Sequence, residues 1–317
     1  MLCGMTSPVT TTPTTAQQVD AAKSGALAVA HADLATLVVT GGDRVSWLNG
    51  LVTCELTKRR ADAAVYGLAV GRNGRVLADL VVVFDEPNAR LLVGVSRSVV
   101  ESLRAHLDHY LVMEDAELSV ATDAFEAWSV HGPASPASLE AARAAGAIGG
   151  ELDRTGLGGA SLFVPVDRTE DVRGALAATA VVGDASGWNA LRLERGVPLF
   201  GVDFDDKTYP QEAGLERTAI SFDKGCYLGQ EVVCMLELRG HVKRKLASVV
   251  VDASEPPAAG APVTDGAGAA VGEVTSASAS PTLGRPVALA MVKRAQAEPG
   301  QSVVVGGARG EVVARPV

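Results

Sequence analysis

"HVKRKLASVVVDASEPPAAGAPVTDGAGAAVGEVTSASAS" (His241–Ser280) consists of short Val-rich runs separated by Gly, Pro and Asp. "RPVALAMV" (285–292) and "QSVVVGGARGEVVAR" (301–315) continue the pattern, and no stretch of helical period intervenes. Short strands at this spacing predict a small all-β barrel or sandwich. The boundary with the preceding chain falls near residue 240, giving a unit over 240–317. Upstream the character differs. "ALAVAH" and "LATLVVTG" read as strands. "AAVYGLAV" and "VLADLVVVF" flank "GRNGR", where Asn73-Gly74 signals a hairpin turn. "SVVESLRAHLDHYL" has apolar residues at helical spacing. Asp43 is placed to cap a helix through Trp47 and Leu48. Interleaved hairpins and helices without strict alternation predict an α+β class over 23–239 rather than a doubly wound sheet.

The chain has 317 residues, 47% of them apolar, and a formal charge of -9. That length predicts more than one domain. The acidic balance argues against sequence-blind nucleic-acid binding, which needs a basic surface to displace counterions. No apolar run is long enough to span a membrane. The opening "MLCGMTSPVTTTPTTAQQ" has neither a basic head nor an apolar core, so residues 1–22 are expected to be a disordered tail. The cytoplasm is the expected compartment. Cys3, Cys54, Cys226 and Cys234 form no CxxC or Cys/His ligand pattern, so no metal site is expected.

Four places carry candidate chemistry. "DKGCYLGQEVV" (223–233) places Lys224 two positions before Cys226, where an ammonium could lower the thiol pKa. Taken alone, the stretch also reads as a tight turn around a buried, inert cysteine, the commoner use of that residue. Asp79 shares a strand face with Leu77 and Val81; a carboxyl there is paired, protonated, facing a pocket or at the solvent edge. Glu194, in "WNALRLERG", either points inward or forms a surface ion pair. "RGHVKRKL" (239–246) would line one strand face with Arg239, His241, Lys243 and Lys245, either a solvated face or a patch for an anionic partner. No glycine-rich stretch matches a nucleotide-binding loop.

"KGCYLGQEVV" resembles the signature of the YgfZ-type folate-binding proteins. "GDRVSWLNGLVTCEL", "GRVLADLVVV", "WNALRLERGVPLFGVD", "YPQEAGL" and "SPTLGRPVALAMV" resemble, in the expected order, segments shared with the aminomethyltransferase of the glycine cleavage system. The resemblance implies two α+β (ferredoxin-like) subdomains plus a small C-terminal β-barrel, set as a ring around a central channel. It implies tetrahydrofolate or a related folate in that channel, and a role in maturation or repair of iron–sulfur enzymes, including tRNA-modifying ones. Iron–sulfur client or assembly proteins would be the partners and tRNA only an indirect one. Cys226 matches the family's essential cysteine, with Lys224 and Gly225 as companions and Gly225 and Tyr227 at the folate. Glu194 matches the carboxylate that holds the pterin edge. Asp79 matches the acid beside the reactive folate nitrogens in the aminomethyltransferases and is often missing from the YgfZ branch. Folate-dependent aminomethyl transfer or demethylation, with Asp79 as the key residue, is therefore the second reading. A scaffold binding RNA or protein through 239–245 is the third.

Overall fold

Thr14 starts the first helix, α1 (Thr15–Ser24), through a reciprocal capping box. Its hydroxyl accepts from Gln17 N, and the Gln17 side chain accepts from Thr14 N. The computed structural model describes residues 12–60 and 62–317. From residue 12 onward the expected disordered tail is therefore corrected; residues 1–11, with Cys3, lie outside the described residues. Burial explains the correction. Val19 and Ala22 pack on Leu27, Ala190 and Leu191, and buried Gln18 accepts from Asp184 N at 2.9 Å.

The chain then weaves between two sheets. β1 (Leu27–His31) and β2 (Leu34–Thr40) are joined by a turn at Ala32-Asp33 yet belong to different sheets. After β2 come α2 (Arg44–Asn49), β3 (Val65–Val70), β4 (Val76–Asp85), β5 (Arg90–Ser96), α3 (Val100–Asp108) and β6 (Glu117–Val120). The first sheet has the order β3-β4-β5-β2-β6 and is antiparallel throughout. Gly74, with φ 73°, makes the β3–β4 turn. Asp43 precedes α2 but leaves it uncapped, because its carboxylate accepts from Asp115 N instead. The chain continues through β7 (Phe125–His131), α4 (Ser135–Ala144), β8 (Ile148–Glu151), β9 (Gly159–Pro165), α5 (Thr169–Ala177) and β10 (Val181–Val182). With β1 these strands form the second sheet, β10-β1-β7-β9-β8.

Strands β2 and β3 are buried with almost no alternation, as expected of a sheet covered on both faces. On one side Leu37, Leu80 and Val82 pack against Trp47, Leu48 and Leu103. On the other, Val38, Val83 and Leu92 meet Phe125, Ala127 and Phe163 of the second sheet. The second sheet's outer face packs on α4 and α5 through Leu139, Val172 and Leu176. Two sheets thus lie face to face with helices outside.

The remaining elements are α6 (Ala185–Glu194), α7 (Gln230–Leu238), β11 (Arg244–Val251), β12 (Pro262–Thr264), β13 (Ala270–Ser280), β14 (Arg285–Lys293), β15 (Ser302–Val305) and β16 (Ala308–Val313). The six strands close into a barrel, β11-β14-β13-β12-β15-β16, around Val249, Val263, Ala290 and Val303. This is the all-β unit expected from the sequence. The α7 segment was read as part of a turn. Only Val233 of α7 is buried, so its nine residues carry little helical periodicity. The basic stretch 239–245 does not form one strand face either. It follows α7, the strand begins at Arg244, and Arg244 and Lys245 pair with Glu212 and Glu216.

Buried polar groups dock the barrel. The pairing of β13 with β14 is regular except at a register shift between Val274 and Ser276. A bulge places consecutive side chains on the same side of a strand. Here Thr275 Oγ1 and Ser276 Oγ both donate to Asp203 Oδ1, at 2.6 and 2.5 Å. Asp203 Oδ2 accepts from Arg192 Nη1 at 2.7 Å and from Leu199 N at 2.9 Å. Arg192 and Asp203 are both almost fully buried. Removing one member of such a pair strands the other charge, at a cost of about 3–5 kcal/mol. Asp203→Ala should therefore lower the unfolding free energy, read from urea titration, by that amount, whereas exposed Asp206→Ala should change stability by less than about 0.5 kcal/mol.

Candidate functional site

Between the two sheets lies a small cavity of about 80 Å³. The β1–β2 crossover contributes His31, Asp33 and Leu34 to its wall. Asp79 lies on β4 and projects from the face it shares with Val81, which also lines the cavity. Tyr66, from the neighbouring β3, donates its hydroxyl to Asp79 Oδ2 at 3.0 Å. Burial pushes the Asp79 carboxyl above its usual range, opposed by the Arg154 guanidinium and the Tyr66 hydrogen bond. A carboxyl so placed can accept from, or protonate, a ligand nitrogen.

Arg154 stands over the Tyr66 ring, 4.0 Å from its centroid, and donates to Pro198 O. The loop that carries it is held by Asp153, whose carboxylate accepts from the backbone N–H groups of Thr155, Gly156 and Gly158. Against the upward pull of partial burial, those bonds keep Asp153 below the ordinary carboxylate range. Arg154, Tyr66 and Leu152 also line a second cavity of about 410 Å³ toward the barrel, with Arg195, Lys245 and Arg315 in its wall. Those three side chains are common to the walls of both cavities.

On the second sheet, His31, Ser129 and His131 share one face, since Val29 pairs with Ser129 and His31 with Ala127. Ser129 Oγ lies 2.7 Å from His31 Nε2 and 2.8 Å from His131 Nε2. Trp188 of α6 stacks on His131 with centroids 4.5 Å apart and planes 9° apart. Burial lowers the pKa of His31 to about 4 and that of His131 to about 3. Sequence reasoning missed these residues together with Tyr66 and Arg154. The signal was a period-two pair in "WSVH" and a histidine ending "ALAVAH", but only the strand register joins them.

The other expected site residues are elsewhere. Glu194, expected beside a pterin, does not line this cavity. Its carboxylate accepts from Ser280 Oγ at 2.5 Å and from Thr282 N and Oγ1 at 3.0 and 2.7 Å, with Lys23 nearby. It is a second tie between α6 and the barrel. Lys224, expected to activate Cys226, directs its ammonium to backbone carbonyls. It is buried, and its ammonium donates to Asn49 O, Val52 O and Cys54 O at 2.5–2.8 Å. Tyr227 is a core residue packed with Leu68, Phe200 and Val233. Neither it nor Gly225 lines either cavity, so neither stands where a folate contact was expected. Gly229, at φ 77°, packs so closely on the β3–β4 turn that a Cβ would lie 2.4 Å from Gly71 O. The motif is thus a rigid frame with Cys226 exposed on its outside. Cys54, by contrast, is buried and its thiol is pushed up to about 12. Among the described residues no group of His, Cys, Asp and Glu could hold a metal, and no helix is long and apolar enough to cross a membrane.

Residues 5–147 match the GCVT N-terminal domain and residues 244–317 the glycine cleavage T-protein C-terminal barrel domain. An aminomethyltransferase of Streptomyces coelicolor is 30% identical over 93% of this chain and 86% of its own length. A tRNA-modifying protein YgfZ of Sodalis glossinidius is 30% identical over 72% of each chain. The glycine cleavage system aminomethyltransferase T of Bartonella henselae shares the fold, with a TM-score of 0.81 at 19% identity over 95% of this chain and 89% of that one. The chain belongs to the family that unites glycine cleavage T-proteins and YgfZ proteins.

Two predictions follow from this geometry. Lys224→Ala leaves three buried carbonyls without a donor, each worth about 1–3 kcal/mol. It should destabilise the protein strongly, while Cys226→Ala should leave the melting temperature nearly unchanged. Because His31 and His131 titrate below their ordinary 6.5, the unfolded chain takes up protons first as the pH falls. Stability should therefore be full above about pH 6.5 and decline toward pH 4 and below, with a shallower decline in His131→Phe.

Proposed function

We propose that this chain is a cytoplasmic folate-binding protein that assists iron–sulfur enzymes, tRNA-modifying enzymes among them, with Cys226 as its acting thiol. The observation that carries the folate reading is a pair of neighbouring cavities that share Tyr66, Leu152 and Arg154 in their walls. A folate has a flat heteroaromatic head and an anionic tail. The first cavity offers a carboxyl and aromatic walls, and the second offers Arg195, Lys245 and Arg315. The chain's own groups fit such a ligand. Asp79 would accept from ring N–H donors, a geometry in which charged hydrogen bonds are strong. Arg154 would hold the junction, and Trp188 would close the side. Bound tetrahydrofolate would supply a nitrogen pair able to carry a one-carbon unit.

Cys226 lines neither cavity. Its exposure on a rigid frame suits an encounter with a second protein, an iron–sulfur client or assembly partner, and no direct contact with tRNA is required. Lys224 would act by holding the frame. The second reading, aminomethyl transfer to tetrahydrofolate, is favoured by one observation, the raised pKa of Asp79 in the cavity.

Titration with 5-formyltetrahydrofolate tests the ligand. Arg154→Ala and Asp79→Asn should each weaken binding about 10–100-fold, because a hydrogen bond to a charged group is worth about 1.5–3 kcal/mol. Cys226→Ala should bind normally yet fail to complement a strain lacking such a protein. Full complementation by Cys226→Ala, with turnover of an aminomethyl-lipoyl donor that Asp79→Asn abolishes, would transfer the assignment to the second reading.

A further inference from the structure

The wall formed by β1, β7 and α6 holds polar groups that the proposed function does not use. His131 is 3% exposed and lines the cavity, yet its Nδ1 is buried without a hydrogen-bond partner. Buried polar atoms are nearly always paired, and an orphan in a cavity wall marks a place where a ligand atom can complete the set. The other ring nitrogen of His131 is bound to Ser129, and Ser129 to His31. His31 is only half-buried, and the next cavity residue along the chain, Asp33, is exposed. The chain of three therefore runs from an enclosed end to an open one.

We propose that His31, Ser129 and His131 form an uncharged proton relay between the interior of the cavity and its mouth, with His131 Nδ1 as the atom that meets the ligand. The proposal rests on the reading of the cavity as a ligand site. The hydroxyl between the two imidazoles owns one proton. When His131 Nε2–H donates to Ser129 and Ser129 donates to His31 Nε2, His131 Nδ1 is an acceptor and His31 carries its proton on Nδ1. A ligand N–H can then pass its proton to His131 Nδ1. His131 Nε2 gives its proton to Ser129 Oγ, Ser129 gives its own to His31 Nε2, and His31 Nδ1 releases one at the open end. Every group gains one proton and loses one, and the only net change is the ligand's lost proton. In the reversed arrangement His131 Nδ1 is a donor, and the same path delivers a proton inward. The ligand class is thus a heterocycle with an exchangeable ring proton.

The relay requires neutral imidazoles. Burial, together with Arg154, disfavours charge on both, against Asp33 at His31 and Asp153 at His131, while His31 also opposes charge on His131. Trp188, stacked on His131, fixes the ring plane. Asp33 supplies a negative charge toward which a released proton is drawn.

Long-range ¹H–¹⁵N spectra of the histidine rings in the full chain test the relay, with 5-formyltetrahydrofolate as probe and tryptophan fluorescence as an independent binding signal. At pH 7 the ligand-free protein should show His31 and His131 neutral and in opposite tautomers. The probe should displace the His131 Nδ1 signal, and His31 should respond with it. Ser129→Ala should retain fluorescence-detected binding and lose the His31 response, and Ser129→Thr should restore it. Identical tautomers in the free protein, a cationic ring at pH 7, or probe binding that leaves His131 Nδ1 unmoved would each overturn the relay. Absence of probe binding would instead overturn the folate reading. The paired tautomers of the free protein, and their uncoupling in Ser129→Ala, would then still decide the relay.

Discussion

The ion pair between Arg192 and Asp203 is the constraint on which the arrangement of the three parts depends. Both groups are buried, and the pair is tolerable only because every remaining lone pair of Asp203 is used, two of them by hydroxyls that a single bulge in β13 brings to one side. Glu194, two residues along the same helix from Arg192, repeats the device with Ser280 and Thr282. Helix α6 is thereby locked to the barrel at its C-terminal end, while its other end carries Trp188 to the cavity wall. The docking of the barrel and the shape of the cavity are thus one structural problem.

The same logic separates the two chemistries of the molecule. The Lys-Gly-Cys segment is tied down by the Lys224 ammonium on three carbonyls and by Tyr227 in the core. Its thiol is left at the surface. The titratable groups of the cavity, Asp79, Tyr66, Arg154 and the histidine pair, come from both sheets and the loop after β8. The cavity between the sheets and the exposed thiol of Cys226 are therefore separate places on the protein. The buried lysine explains how a basic residue two positions from a cysteine can be indispensable to the segment without acting on the thiol.

Much of this was legible in the sequence because it depended on local rules. Asn73-Gly74 between two apolar runs gave the hairpin, the Gly- and Pro-punctuated Val runs gave the barrel, and the alternation around Asp79 put that carboxyl on one strand face with Leu77 and Val81. Thr14 and Gln17 spelled a capping box inside a stretch whose composition suggested disorder; composition averages over such a pair and hides it. Helix α7 escaped because one buried residue in nine leaves no periodic trace. Glu194 and Lys224 were recognised as buried or important, yet their partners lie 86 and 170–175 residues away in sequence, beyond the reach of any local pattern.

The sequence by itself determined the elements, the α+β and barrel division, the family, and which side chains bear chemistry, since these follow from periodicity, turn residues and motif spacing. Only the tertiary structure decided what each side chain faces. Strand register set His31, Ser129 and His131 in line, the weave from β1 to β2 put them opposite a second sheet, and the bulge in β13 chose Asp203 as the anchor. Those outcomes depend on which distant segments pair and at what offset, and a single-residue slip would turn every one of these side chains to the other face.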